Sequence, residues 1–105
     1  MYNLSILVKL EARPGKELEV EAFLRSALPL ALAKYGTTTW FAFKTVNSTF
    51  GIFDTFADEV ARQTHLGGEM AKALMARADE LFLKAPEIEL SEILAVKPHA
   101  SNLND

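Results

Sequence analysis

Residues 4–12 alternate between two environments. Leu4, Ile6, Val8, Leu10 and Ala12 fall on one side and Ser5, Lys9 and Glu11 on the other, the period of a half-buried β-strand. Leu7 departs from the pattern and puts an apolar residue on the polar side. Arg13-Pro14-Gly15 then breaks the chain. Val20, Leu24, Ala27, Leu28 and Ala31 recur at helical spacing, predicting a first helix over 16–34. Glu17, Glu19 and Glu21 cluster at its start, where the helix dipole favours negative charge. Pro29 predicts a kink, since it has no N–H for the helical ladder, and Gly36 is placed to end the helix.

Residues 37–46 are rich in β-branched and aromatic types, and Asn47-Ser48 reads as a tight turn into a partner strand over 49–56. With Val46 opposite Thr49, Phe41, Phe43, Phe50, Ile52 and Phe56 share one face, and Trp40, Ala42, Phe53 and Thr55 the other. A longer loop would exchange the faces. A second helix starts near Asp58 and is interrupted or bent at Gly67-Gly68. It continues through Ala71, Leu74, Met75, Ala78, Leu81 and Phe82. Beyond Pro86 a last strand over 87–97 changes apolar phase between Leu90 and Ile93, which predicts a bulge.

The order is βαββαβ, an α+β ferredoxin-like arrangement spanning residues 4–97, with a loose polar tail over 98–105. Right-handed crossovers put both helices on one face of an antiparallel sheet. The other face carries too many apolar side chains for open water, and each one left wet forfeits roughly 1.5–3 kcal/mol. A homodimer packed through the open sheet face is the simplest cover.

Composition narrows the function. The chain has 105 residues and a net charge of −3, without a Lys/Arg cluster, which argues against nucleic acid as a partner. It has no cysteine, so disulfides, thiolate nucleophiles and Cys-based metal sites are excluded. The two histidines, His65 and His99, are far apart, and no three-ligand metal set is readable. The opening residues lack a basic stretch and a cleavage site, and Lys9 and Glu11 cut the apolar run short. The expectation is a cytoplasmic protein with neither signal peptide nor membrane span. No phosphate loop or nucleophile elbow appears.

Three stretches carry a family resemblance: Leu7-Val8-Lys9-Leu10-Glu11-Ala12-Arg13-Pro14-Gly15-Lys16, Gly36-Thr37-Thr38-Thr39-Trp40-Phe41, and Phe53-Asp54-Thr55-Phe56-Ala57-Asp58-Glu59 through His65-Leu66. Together they resemble antibiotic-biosynthesis-monooxygenase-type domains over essentially the whole of residues 4–97. The resemblance implies a dimeric α/β barrel with a ligand cavity between helices and sheet in each subunit. Members of that family include cofactor-independent oxygenases of polyketide aromatics, quinol oxidases and haem-degrading enzymes. The haem-degrading branch uses an Asn, a Trp and a His. Here the first strand is apolar where the Asn would fall, and His65 and Met75 stand about where the Trp and the His belong, so haem degradation is disfavoured.

His65 is the leading candidate, since family members often carry a histidine there and an imidazole works as a base near neutral pH. The alternative is a structural helix histidine. Asp54 interrupts an apolar strand face. It needs a partner such as Arg62, Arg77 or a backbone donor, or else accepts a proton in the cavity. Trp40, Phe41, Phe43 and Phe53 are candidates for stacking a flat substrate, and Met70 and Leu74 for lining the pocket; for each of these the alternative is plain core. The expected function is oxidation of a small aromatic or quinone-like substrate without cofactor or metal. The competing readings are a binding module without turnover and an oxygen-independent isomerase acting on a small carbonyl compound.

Overall fold

In a computed structural model that describes residues 3–34, 36–46 and 48–97, the chain runs β1 (Leu4–Glu11), α1 (Glu17–Ser26), α2 (Leu28–Leu32), β2 (Thr37–Val46), β3 (Thr49–Phe56), α3 (Glu59–Leu66), α4 (Glu69–Ala76), α5 (Ala78–Leu81) and β4 (Glu87–Glu92). The strands form one antiparallel sheet in the order β2-β3-β1-β4, with the helices on one face, the ferredoxin-like arrangement. The loose tail expected over 98–105, His99 included, lies outside the described residues, as does Asn47 of the expected turn.

The core follows from the alternation in the two central strands. Ile6, Val8 and Leu10 of β1 and Phe50, Ile52 and Phe56 of β3 point to the helices and pack with Val20, Leu24, Leu74, Leu81 and Phe82, all buried. Arg13–Lys16 forms the first turn, closed by Lys16 N–H donating to Arg13 C=O at 2.9 Å. Gly15 has φ +86° there, a backbone conformation that glycine takes without a Cβ penalty. No described helix is long and apolar enough to cross a membrane.

Four expectations change. The helix expected over 16–34 is two helices divided at Ala27, with Pro29 in the first turn of α2, where its missing N–H costs least. The second helix is broken at Gly67-Gly68 and capped by Asp58 as expected, with Ala61 N–H donating to the Asp58 carboxylate at 2.8 Å, but it is broken again at Arg77, which divides α4 from α5. The last strand ends at Glu92 instead of bulging. Its pairing with β1 is continuous from Lys9–Glu87 to Leu4–Glu92, so the apolar phase change marks the strand's end.

The fourth change concerns the middle hairpin. Val46 does pair with Thr49, but Lys44 pairs with Phe50, leaving Thr45 bulged. That one extra residue exchanges the faces of β2 from Lys44 back to Thr39, where a second register shift restores the phase. Trp40 and Ala42 now point to the helices, opposite Asp54 and Ile52, while Phe41 and Phe43 join Phe53 on the open face. The Phe43 ring lies over Gly51 and leaves no room for a Cβ there. Phe41 is 59% exposed.

Replacing Asp58 by Ala should lower stability by about 1 kcal/mol through loss of the α3 cap, measured by urea unfolding with unchanged slope.

Candidate functional site

The helix-facing side of β3 reads Phe50, Ile52, Asp54, Phe56, so one carboxylate is embedded in an apolar surface. Across the sheet its neighbours are Trp40 on β2 and Ile6 on β1. Asp54 is 1% exposed. Neither of the sequence-level partners, Arg62 and Arg77, reaches it: Arg62 binds the Ser5 and Ser91 carbonyls and Glu59, and Arg77 binds Glu80 and Glu19. The group that does is His65, whose Nε2 lies 3.0 Å from Asp54 Oδ2. No directed hydrogen bond reaches either Asp54 oxygen, and among the described residues the His65 imidazole is the group that comes within ion-pair distance of the carboxylate. A carboxylate at that distance favours a proton on Nε2 and leaves Nδ1 as the free acceptor.

Two features of α3 hold His65 in place. One turn before it, Arg62 Nη1 donates to the backbone carbonyls of Ser5 at 3.3 Å and Ser91 at 3.2 Å, tying the helix to β1 and β4. The imidazole also rests against Phe56, ring centres 5.1 Å apart. His65 thereby stands between two spaces. On the inner side is a cavity of about 30 Å³ that Met70, Leu74 and Ile52 line, room for little more than a water molecule. On the outer side is a cleft of about 350 Å³ bordered by Lys34, Thr37, Asp58, Val60 and Thr64, within the size range of small-molecule sites.

The sequence-level candidates divide by face. Asp54, His65 and Trp40 come together on the helix side. There Trp40 packs against both core clusters and its indole Nε1 is a buried donor without a partner. Met70 and Leu74 are buried against the same region. Phe41 and Phe53 lie on the opposite face and do not border these spaces. Phe43 borders a separate cleft of about 460 Å³ between α1 and β2. The charges of that cleft are already paired. Lys44 Nζ contacts Glu21 at 2.6 Å, and this contact, with Arg25 nearby, holds the Glu21 carboxyl below the usual carboxylate range. Lys34 was not anticipated, because nothing in a lysine near a helix end marks it as a neighbour of a histidine some thirty residues on. Among the described residues no three His, Asp or Glu side chains converge as a metal set.

No protein-family model and no curated protein matches the chain. Solved structures do. The NE2512 protein of unknown function from Nitrosomonas europaea is 54% identical over 96% of this chain and 98% of its own, with a TM-score of 0.91. The chain belongs to the NE2512 family. More distant likenesses show the fold. PA3566 from Pseudomonas aeruginosa is 18% identical over 90% of this chain and 97% of its own, TM-score 0.78. A candidate antibiotic biosynthesis monooxygenase from Caulobacter crescentus is 20% identical over 91% and 92%, TM-score 0.75. The fold is therefore of the antibiotic-biosynthesis-monooxygenase type, as the sequence resemblance implied.

A double-mutant cycle with Asp54→Asn and His65→Gln should give a coupling of about 1–3 kcal/mol in chemical unfolding, as for groups in direct contact. Additive effects would mean that the two side chains are independent.

Proposed function

We propose that the protein is a cofactor-free oxygenase of a small, electron-rich aromatic or quinone-like molecule, with His65 as general base and Asp54 as the group that orients it. The observation that carries this reading is the buried Asp54–His65 contact, made by a histidine that borders a 350 Å³ cleft. Such a pair holds an imidazole in one tautomer and stabilises the imidazolium formed when it takes a proton.

In the proposed reaction the substrate, an enol, phenol or activated methylene compound, gives its proton to His65 Nδ1. The resulting anion is electron-rich enough to reduce dioxygen directly. A quinol and O₂ become a quinone and H₂O₂. An activated CH₂ group and O₂ become C=O and H₂O. The protein's share is deprotonation, orientation and exclusion of water. Trp40 carries an unpartnered indole N–H across the strand from Asp54 but does not border the cleft beside His65.

The same reading makes the protein a cytoplasmic homodimer. Leu7, Phe53 and Phe41 form a cross-strand apolar row on the open face, next to Phe43, and a second copy of the sheet covers it with two-fold symmetry.

With hydroquinones, anthrones and naphthols, enzyme-dependent oxygen uptake should appear and fall by about two orders of magnitude or more in His65→Ala. Unchanged turnover in that variant would remove His65 from the chemistry. Product formed under strict anaerobiosis would move the assignment to an isomerase. Phe41→Asp should convert the dimer to a monomer in light scattering, since a charge would be buried at the centre of the interface.

A further inference from the structure

The cleft beside His65 contains a second charged group that the reaction outlined above does not use. Lys34 follows α2 and borders both this cleft and a smaller one of about 190 Å³ on the Trp40 side. Its ammonium reaches across to the α3–α4 junction. A methyl group built on Gly68 would lie 3.6 Å from Lys34 Nζ and 3.4 Å from the His65 carbonyl oxygen. Among the described residues the ammonium makes no ion pair with a carboxylate and donates no hydrogen bond to the carbonyl end of α3 that it approaches. Asp58, a carboxylate bordering the same cleft, is engaged in capping α3. The contrast with the α1–β2 cleft is instructive, because there Glu21 already occupies both Lys44 and Arg25.

Lys34, without an ion-pair partner among the described carboxylates, and His65 border one partly apolar cleft, and together they select a ligand with two oxygen functions: one ionised, to meet Lys34, and one protonated, to meet His65. We propose that this cleft takes a small aromatic acid, a ring bearing a carboxylate and a hydroxyl, and that Lys34 is the residue that distinguishes it from a neutral quinol. This names the substrate class of the oxygenase reading and rests on it only for turnover; the recognition itself needs no reaction. The carboxylate fixes the ring so that the hydroxyl faces His65 Nδ1. The ring lies against Val60 and Ala61, the apolar wall of the cleft.

The test is calorimetric titration of the full chain under nitrogen with 4-hydroxybenzoate and, separately, hydroquinone. The acid should bind at least about tenfold more tightly than the quinol, a difference that shrinks with added salt. Lys34→Gln should abolish the preference, Lys34→Arg should keep most of it, and Lys44→Gln in the other cleft should leave it unchanged. Equal affinities, no binding of the acid at millimolar concentration, or a preference that survives Lys34→Gln would overturn the assignment. So would a preference that depends on Lys44. If Lys34 only supports the carbonyl end of α3, the glutamine variant lowers the thermal midpoint and leaves the ratio of affinities as it was. Should that variant fail to fold, the ratio in the natural protein and in Lys34→Arg still decides. Because no turnover is involved, failure of oxygen uptake would count against the oxygenase and not against this recognition.

Discussion

A carboxylate buried in the middle of an apolar strand face has to be answered by something, and in this chain the answer is a single imidazole at 3.0 Å. Taking an unpaired charge out of water costs several kcal/mol, far more than a small domain can leave uncompensated. Much else serves that contact. Asp58 starts α3 seven residues before His65, Arg62 ties the helix to the backbone of β1 and β4, and Phe56 supports the ring. The helix is short and has no fully buried residue of its own, so its position rests on these polar attachments more than on packing.

The two faces of the sheet divide the work. The helix side holds the core and the Asp54–His65 pair, while the open side presents a row of hydroxyls beside a row of apolar rings. Ser5 and Ser91 meet at 2.7 Å, and Thr55 meets Thr38 and Thr39 at 2.6 Å each. These hydroxyls satisfy one another in two groups, one between β1 and β4 and one between β2 and β3, which leaves the neighbouring Leu7, Phe53 and Phe41 as the part of that face that gains most from being covered. Arg62 contacts the carbonyls of two of the same serines from the other side.

Most of the architecture was legible because it is written in periodicity. The alternation of β1, the Pro and Gly punctuation, the Asp58 cap and the βαββαβ order all rest on local chemistry, and all appear in the structure. The candidate acid and base were legible too, Asp54 as an interruption of an apolar face and His65 as the histidine that the family resemblance singled out. Their contact was not, since it joins a strand to a helix and depends on how α3 is pinned to the sheet. Arg62 and Arg77, chosen as partners on charge alone, found others that were nearer. The side of β2 that carries Trp40 differs for another reason: a bulge at Thr45 leaves no clear mark in composition, yet it inverts the side chains from Lys44 back to Thr39, where a second irregularity restores the phase.

That bulge has a consequence for reading relatives of this protein. A chain in which the hairpin lacks the extra residue would present the side chain matching Phe41 to the helices and turn the one matching Trp40 outward, with hardly any change in the trace of the backbone. Two homologues could superpose closely and still offer different chemistry beside the same carboxylate. Position-by-position alignment through this hairpin is therefore a poor guide to kinship of function; counting residues from the bulge is the better one.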